Sequence, residues 1–350
     1  MQEKGQKMQY PFDYNKEVAQ AEEGKRGKEF CTPITPREND LLVGRHQDPA
    51  WLGQELNHVF PREIPDNVAR GFVIDGRPFE GEFGGTDMFG VEWVYVPVAR
   101  GSMEKPGTRL VADIERWEED VVFPDVENLD WAAIAEAAKR VIVPDKITST
   151  MVYTGFFERL ISLIGFEDAA VAMIDEEQQE AVHRLFDRLC VHYDNLLRHM
   201  REDMGLEYVV FHDDWGAQRG PFFSEATCRE MLLPYLKRVV ESAHMYQIIF
   251  NFHCCGKVEA FVPLMIEAGV DAWDGQPIND IWGLYHTYGD RLNITLNEKV
   301  LEISKEDAET WTDNIVSHLE HGKQLIVSRR CMNETARELL YIKSRQFYGE

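Results

Sequence analysis

The stretch QIIFNFHCCG at residues 247–256 decides the fold, because an apolar run of strand length ends there in a histidine, two cysteines and a glycine. Four more runs of this kind occur after residue 205, and segments with helical periodicity separate them. Apolar runs that alternate with helical segments are the pattern of βα units in a parallel sheet. The five runs are Tyr208–Phe211, Gln247–Phe252, Val270–Trp273, Leu292–Leu296 and Gln324–Val327. The sequence therefore predicts an α/β fold.

Polar residues follow every one of these runs. The segments are His212–Trp215, His253–Gly256, Asp274–Gln276, Asn297–Glu298 and Ser328–Cys331. In a parallel barrel, the carboxyl ends of the strands open on one face, and active sites are built there. At a single strand end, a polar residue can simply belong to a solvated loop. Several ends rich in histidine, cysteine and aspartate favour a shared site at the mouth of a barrel.

His253 and Cys255 are candidate metal ligands. One residue separates them at a strand end, so both side chains point to the same face of the sheet while Cys254 points to the other. Zinc accepts imidazole and thiolate together in tetrahedral geometry. Cys331, which follows the last predicted strand, is the candidate third ligand, and three ligands leave one zinc position open, as in catalytic sites. The alternative is a packed histidine beside a buried free cysteine, which behaves as a small apolar residue.

Asp213 and Asp214 are candidate catalytic residues. In an extended segment only one of two consecutive side chains faces the barrel axis. That carboxylate could complete the zinc shell, orient His253 or move a proton, and the other could lie at the rim or cap a helix. The candidates for substrate binding at the same strand ends are Trp215, Gln276, Asn297 and Glu298.

The first part of the chain differs from the part with βα units. Residues 1–34 are polar and mixed in charge, without a steady apolar period, and this predicts a polar N-terminal arm. Thr35–Pro36 predicts the cap and first turn of a helix. Residues 71–98 alternate glycine with apolar and aromatic residues, which predicts a β-hairpin insert. We therefore expect a single barrel domain over residues 35–350 that carries this insert.

The charge and cysteine content exclude several classes of protein. The 61 acidic and 37 basic residues give a net charge of -24, which repels nucleic acid and anionic lipid surfaces. No apolar stretch reaches the roughly 18 residues that cross a bilayer, and the N-terminus lacks the apolar core of a signal peptide. Six cysteines are too few for a disulfide framework and suit a reducing compartment. We expect a cytoplasmic protein whose thiols are available for metal binding.

The order and spacing of His253, Cys255 and Cys331 resemble the zinc motif of the methylcobalamin:coenzyme M methyltransferases. These enzymes belong to a superfamily with the uroporphyrinogen decarboxylases, and the resemblance covers most of the chain, from about residue 35 to 345. It implies a distorted (β/α)8 barrel of the TIM type with an N-terminal helical and β-hairpin extension. It also implies that the three residues bind Zn²⁺.

Two N-terminal segments resemble the methyltransferase branch of this superfamily. Thr35–Asn39, with His46 and Pro49 downstream, is similar to the start of methyltransferase-type members, and Gly85–Trp93 is similar to the hairpin of the O-demethylases. The implied function is transfer of a methyl group from a small methylated substrate, with an aromatic methyl ether favoured, to the cobalt of a corrinoid. The chain contains no D-x-H-x-x-G corrinoid-binding signature, so a separate corrinoid-binding protein is the expected partner.

Three other functions stay open. Two thiolates make the zinc electron-rich, which suits a methylcobalamin:thiol methyltransferase of the coenzyme M type. A decarboxylase of the uroporphyrinogen type would lack its paired N-terminal arginines, and its metal-free chemistry would leave His253, Cys255 and Cys331 without a role. A non-catalytic zinc-containing binding subunit would have a closed fourth zinc position. A homo-oligomer is compatible with each of these functions.

Overall fold

The computed structural model of this chain describes residues 10–24, 27–70, 84–98 and 101–350. The chain forms two compact units. The larger unit consists of residues 57–142 and 148–279, and the smaller unit of residues 1–56, 143–147 and 280–350. The first three of the five strands predicted above thus fall in the larger unit, and the last two fall in the smaller unit.

Helices and strands alternate along most of the described chain. The described helices are α1 Tyr14–Glu17, α2 Pro36–Gly44, α3 Pro65–Arg70, α4 Trp117–Asp120, α5 Trp131–Lys139, α6 Phe156–Ile164, α7 Phe166–Ala172, α8 Glu176–Met204, α9 Glu225–Met231, α10 Leu233–Met245, α11 Val262–Ala268, α12 Ile281–Tyr288, α13 Lys305–His318 and α14 Glu334–Gly349. The described strands are β1 Glu22–Gly24, β2 Gly27–Glu29, β3 Asn57–His58, β4 Gly84–Thr86, β5 Glu92–Val96, β6 Gly101–Glu104, β7 Thr148–Val152, β8 Tyr208–His212, β9 Gly216–Ala217, β10 Gly220–Pro221, β11 Ile249–Cys254, β12 Ala272–Gly275, β13 Asn293–Leu296 and β14 Leu325–Val327. Short 3₁₀ helices lie at Ile114–Arg116, Val126–Asn128, Glu259–Phe261 and Arg329–Cys331.

The five strands predicted from apolar runs are confirmed as β8, β11, β12, β13 and β14, with ends that differ by no more than two residues. The strands β3 and β7 were not predicted. Strand β7 begins with three hydroxyl residues, Thr148 to Thr150, in place of an apolar run. The Ser149 and Thr150 hydroxyls donate hydrogen bonds to the carbonyl oxygens of Asn57 and Val59. Buried hydroxyls are tolerated in this strand because the neighbouring segment accepts their hydrogen bonds.

The larger unit contains a parallel sheet in which the strands follow the order β12, β11, β8, β7, β3. His253 of β11 lies opposite His212 of β8 on one side and Asp274 of β12 on the other. Residues that are paired in a parallel register point to the same face of the sheet. The register therefore brings these three side chains together at the carboxyl ends of their strands.

A three-stranded antiparallel sheet of β4, β5 and β6 covers part of the predicted β-hairpin insert. Residues 71–83 of that prediction lie outside the described residues. The turn between β4 and β5 is held by Asp87, whose carboxylate accepts the backbone N–H groups of Phe89 and Val91 at 2.9 Å each. Gly90 has a φ of 86° in this turn, a conformation that favours glycine.

The smaller unit contains the parallel pair β13–β14 and the antiparallel pair β1–β2. Part of the segment predicted as a polar arm packs into its core. Val18 is buried in a cluster with Tyr341 of α14, and Phe12 and Phe30 pack against this cluster. These apolar residues escape a periodicity test because α1, β1 and β2 are only three or four residues long, too short to show a helical or strand period.

One local feature at the start of α2 agrees with the sequence. Helix α2 begins at Pro36, and Thr35 and Glu38 form the reciprocal hydrogen bonds of a capping box, as the Thr-Pro start predicts. Among the helices that the structure describes, none combines the length and the apolar character that crossing a bilayer requires.

Candidate metal centre

Four side chains of the larger unit offer metal-ligating atoms that all lie within 4.8 Å of one another. They are His212, Asp214, His253 and Cys255, and each is half-buried. Strand β8 and the two residues after it carry the first pair, and strand β11 with its following residue carries the second. Imidazole nitrogen, carboxylate oxygen and thiolate sulfur are the three donor types that zinc takes in proteins. The donor set therefore fits a zinc ion. These four residues are called the metal cluster below.

His253 and Cys255, the two residues of the metal cluster on the β11 side, lie close together, as their spacing predicts. His253 Nε2 lies 3.4 Å from Cys255 Sγ. The thiol of Cys254 points elsewhere and accepts the backbone N–H of Trp215 at 3.2 Å. Cys254 is fully buried, whereas Cys255 is half-buried, and of the two thiols only that of Cys255 belongs to the metal cluster.

In each histidine of the metal cluster, a carboxylate lies within hydrogen-bonding distance of the Nδ1 atom. His212 Nδ1 lies 2.7 Å from Glu158 Oε2, and His253 Nδ1 lies 3.1 Å from Asp274 Oδ2. The two imidazole rings stack with centroids 4.4 Å apart. A hydrogen bond from Nδ1–H to a carboxylate fixes the tautomer and leaves Nε2 as the ligand atom, as is common for histidines that bind metal.

The electrostatics of the metal cluster favour a cation. Burial lowers the pKa of His212, but the carboxylates of Glu158 and Asp214 outweigh burial and raise it to about 9. Burial and the neighbouring His212 lower the pKa of His253, whereas Asp274 and Cys255 raise it, with a net result of about 10. Positive charge is therefore stabilised at both rings. A divalent ion can take the place of the protons, because metal ligands bind in their deprotonated forms.

Of the two predicted aspartates, Asp214 belongs to the metal cluster and Asp213 does not. Asp213 is fully buried and caps helix α6, where its carboxylate accepts the backbone N–H groups of Phe157 at 3.2 Å and Glu158 at 2.9 Å. Its Oδ2 also accepts the indole N–H of Trp215 at 2.8 Å. The structure thus gives Asp213 a structural position, because its carboxylate is directed at a helix N-terminus.

Trp215 and Gln276 hold the loops around the metal cluster. Trp215 is only 1% exposed and packs against Phe252, so its indole ring lies in the core, and its role in substrate binding remains a prediction from the sequence. Gln276 Oε1 accepts the backbone N–H of Gly256 at 3.0 Å, directly after Cys255. Both residues therefore act on the shape of the site.

Glycine is required directly after Cys255. Gly256 has a φ of 95°, and a Cβ there would lie 2.3 Å from the backbone of Gly216. Asp214 Oδ1 fixes the same loop, because it accepts the backbone N–H of Cys255 at 2.7 Å. The β11 end of the site is thus held by backbone contacts as well as by side chains.

The remaining predicted site residues lie in the smaller unit. Cys331 is half-buried at the end of the 3₁₀ helix Arg329–Cys331, and its carbonyl oxygen accepts the backbone N–H of Val300. Asn297 and Glu298 follow β13, and Glu298 accepts the indole N–H of Trp311 at 2.7 Å. None of these three is one of the four residues of the metal cluster. Their roles in metal and substrate binding remain predictions from the sequence.

Three residues in or next to the metal cluster were not among the predicted site residues. His212 and Asp274 stand at predicted strand ends, so their residue types were a usable signal. Glu158 lies in the first turn of α6, where an acidic residue has an ordinary explanation in the helix dipole. No spacing in the sequence connects Glu158 with His212, because their contact depends on how α6 packs.

The family model described as Uroporphyrinogen decarboxylase (URO-D) matches residues 85–331. No curated protein matches the sequence. Among solved structures, a methyltransferase from Methanosarcina mazei has a TM-score of 0.56 and 12% identity, and the match covers 90% of this chain and 99% of that chain.

Other solved structures are less similar. An intracellular xylanase from Thermoanaerobacterium saccharolyticum has a TM-score of 0.36 and 9% identity, with 61% of this chain and 81% of that chain covered. A D-psicose 3-epimerase from Clostridium cellulolyticum has a TM-score of 0.35 and 9% identity, with 68% and 92% covered. The similarity to the methyltransferase is enough to confirm the predicted α/β barrel fold of the TIM type.

Proposed function

The chain belongs to the uroporphyrinogen decarboxylase (URO-D) family, and from this premise we propose that it is a zinc-dependent methyltransferase. It moves a methyl group from a small methylated substrate to the cobalt of a corrinoid that a separate protein carries. The favoured substrate is an aromatic methyl ether, because Gly85–Trp93 resembles the hairpin of the O-demethylases. The structural similarity to a methyltransferase supports the general reaction.

The observation that carries this proposal is the metal cluster. A decarboxylase of this family needs no metal, so four converging donor side chains with two carboxylate-supported imidazoles would have no purpose in it. A structural zinc site would also explain four donors. The catalytic proposal is preferred because all four residues are half-buried and lie at or just after the carboxyl ends of β8 and β11, where barrel enzymes keep their active sites.

The residues of the cluster have separate tasks in this proposal. His212, His253 and Cys255 bind the ion, and Asp214 adds a second negative charge beside the thiolate of Cys255. When bound, zinc supplies Lewis acidity to the heteroatom that loses or accepts the methyl group. One thiolate with one carboxylate leaves a harder and more acidic site than two thiolates would, and this favours an oxygen leaving group.

The sequence motif that ends in Cys331 favours the rival methylcobalamin:thiol reaction. A second thiolate would make the ion more electron-rich and better suited to a sulfur nucleophile. The predicted role of Cys331 as a ligand is therefore the point that separates the two reactions. Zinc content and cobalt(II) absorption of Cys331→Ser would decide it, because each thiolate bound to cobalt(II) adds a charge-transfer band.

The proposed function is tested with the purified protein, a cobalt(I) corrinoid protein and a panel of methoxyaromatics, methylamines and thiols. A change in corrinoid absorption with methoxyaromatics alone is the expected result. Cys255→Ser should lose both zinc and methyl transfer, whereas Cys31→Ser, which alters an exposed thiol of the smaller unit, should lose neither. Full zinc content and full transfer in Cys255→Ser would contradict the proposal.

A further inference from the structure

We infer that the antiparallel hairpin β4–β5 positions the metal cluster, and that it acts through Arg70 and Glu158 on the ligand His212. This inference rests on the proposed metal site and assigns a task to the segment Gly85–Trp93, which otherwise only resembles that of related enzymes. Arg70 and Glu158 are positioning residues, because they act on the ion through His212 and do not themselves belong to the metal cluster.

The hairpin is rigid enough to serve as a reference point. Besides the turn N–H groups of Phe89 and Val91, the buried carboxylate of Asp87 accepts the indole N–H of Trp93 at 2.9 Å. Its Oδ2 also accepts Arg159 Nη1 at 2.5 Å, and both charged side chains are almost completely buried. A buried ion pair with all of these hydrogen bonds fixes the hairpin firmly on helix α6.

Trp93 and Arg70 form the next contact in the chain of interactions. The guanidinium carbon of Arg70 lies 4.3 Å from the centroid of the Trp93 ring, which is the geometry of a cation–π contact. Arg70 Nη2 donates to the carbonyl oxygen of Tyr153 and to Glu158 Oε1, at 3.2 Å each. The aromatic face and the carbonyl thus hold the guanidinium in one place, directed at the carboxylate of Glu158.

Glu158 connects Arg70 to His212 of the metal cluster. One carboxylate oxygen accepts from Arg70, and the other lies 2.7 Å from His212 Nδ1. The side chains of Arg70 and Glu158 are 13% and 10% exposed, so water screens the pair little. Because the backbone of Glu158 is also fixed by the Asp213 cap, the carboxylate has little freedom to turn away from the imidazole.

Helix α6 provides a second connection to the same hairpin. Arg159, the residue after Glu158, bonds Asp87 of the hairpin and Asp66 of α3. Two successive residues of α6 therefore make different contacts. Glu158 contacts His212, and Arg159 contacts the hairpin. Removal of the charge at Glu158 or Arg70 should loosen the orientation of His212 and leave these buried contacts of Arg159 in place.

The test measures metal affinity, by competition with a chromophoric chelator, and the cobalt(II) ligand-field spectrum of the metal-loaded protein. Glu158→Gln should weaken zinc binding by about 10- to 100-fold, the usual effect of removing a carboxylate behind a histidine ligand. Arg70→Met should weaken it by a smaller factor, and Arg70→Lys should restore part of the loss. The double variant should be no weaker than Glu158→Gln alone, because Arg70 acts through Glu158.

Glu320→Gln is the matched control. Glu320 Oε1 lies 2.6 Å from His286 Nδ1 in an exposed carboxylate–histidine pair of the smaller unit. This substitution should leave zinc affinity and the cobalt spectrum unchanged. Thermal unfolding of each metal-free variant shows whether it is folded. If Arg70→Met fails to fold, Arg70→Lys and Glu158→Gln carry the test, since both alter the Arg70–Glu158 pair beside His212.

The possible outcomes separate this inference from the proposed function. Wild-type affinity and an unchanged cobalt spectrum in folded Glu158→Gln would overturn the inference, as would independent, additive losses from Arg70 and Glu158. Neither result affects the proposal that the protein transfers methyl groups, because the measurement uses no substrate. Failure of the wild-type protein to bind zinc would instead remove the proposed function, and the inference with it.

Discussion

Asp213 and Asp214 are consecutive residues with opposite environments. Burial and the nearby Glu158 raise the pKa of Asp213 to about 7, although its hydrogen bonds to α6 and Trp215 work in the other direction. Burial also raises the pKa of Asp214, but His212 and His253 outweigh it and hold the pKa below its usual value. Only Asp214 therefore offers a reliably charged oxygen to a metal ion, and this agrees with its place in the metal cluster.

His244 makes a pH-dependent contribution to stability far from the site. Its hydrogen bond to Asp271, at 2.9 Å, raises its pKa above the ordinary value. A histidine with a raised pKa stabilises the fold fully below its unfolded pKa, about 6.5, and loses that contribution as pH rises through the folded pKa. Wild-type protein should therefore lose more stability than His244→Gln between pH 5.5 and 8.5. The His244 side chain is 44% exposed, so we expect an effect below about 1 kcal/mol.

Urea denaturation at both pH values checks this expectation. The difference in midpoint between wild type and His244→Gln should be larger at the lower pH, where the histidine is charged beside Asp271. A difference that grows with pH would have the wrong sign and would show that the pair does not stabilise the charged imidazole.

Single residues of the site differ in how well the sequence predicts them. The spacing of His253 and Cys255 places both on one face, because side chains alternate along a strand. The same rule says that one of Asp213 and Asp214 faces the site, but not which one, since this depends on where β8 ends. Glu158 could not be predicted, because its contact with His212 depends on helix packing.

Helix α6 is the element that joins the sheet to the metal cluster. It is the first helix after β7, and its first turn carries Glu158, which contacts His212. The N-terminus of the helix lies so close to β8 that the backbone N–H of Gly155 donates to the carbonyl oxygen of His212 at 2.7 Å. The distance between α6 and β8 therefore decides whether Glu158 reaches His212.

Gly155→Ala tests this close approach. A Cβ at residue 155 would lie 2.5 Å from Asp213 Cβ and 2.8 Å from the carbonyl oxygen of His212. The φ of Gly155 is -79°, which alanine adopts freely, so the cost comes from overlap and not from backbone strain. Overpacking of this kind costs about 1–3 kcal/mol. We expect a loss of this size in urea denaturation, together with weaker zinc binding.

Gly107→Ala provides the comparison for Gly155→Ala. Gly107 has a φ of 84° and nothing within 4 Å of its Cβ position, so alanine there meets backbone strain alone. The expected cost is about 1 kcal/mol or more, with zinc affinity unchanged. Equal zinc affinities in the two variants would show that the α6–β8 distance does not control the site.

Secondary-structure elements could be predicted where burial produces a regular pattern of apolar residues in the sequence. Strands buried on both faces read as apolar runs, and all five runs became strands. Strand β7 was not predicted, because its sequence resembles a polar loop. Its buried hydroxyls donate hydrogen bonds to the carbonyl oxygens of a neighbouring segment. The packed segment before residue 35 escaped because its apolar residues follow no regular period.

At the scale of the whole molecule, family membership fixes the fold but not the reaction. One barrel fold carries many chemistries, and function depends on the residues grafted onto it. In this chain the metal cluster lies within the larger unit, on strands that the sequence predicted. The choice between methyl transfer and metal-free decarboxylation therefore depends on whether the metal cluster binds an ion.

The smaller unit contains a buried ion pair between residues far apart in sequence. Arg345 of α14 bonds both carboxylate oxygens of Glu17, at 2.8 and 2.9 Å, and the two side chains are 0% and 4% exposed. The same guanidinium donates to the carbonyl oxygens of Tyr10, Pro11 and Ala50. The Arg345 side chain thus links the first described residues of the chain to the last helix, α14.

Arg345→Met should destabilise the protein by about 3–5 kcal/mol, because it leaves the Glu17 carboxylate buried without its counter-charge. Glu17→Leu combined with Arg345→Met should cost less than Arg345→Met alone, since an apolar pair leaves no buried charge unpaired. Arg116→Met, which removes an exposed ion pair with Glu119, should change stability by less than about 1 kcal/mol. Urea denaturation followed by tryptophan fluorescence compares the three variants. If Arg345→Met were as stable as Arg116→Met, the pair would not hold the N-terminal segment on α14, and the packing of Phe12 and Val18 would have to do so alone.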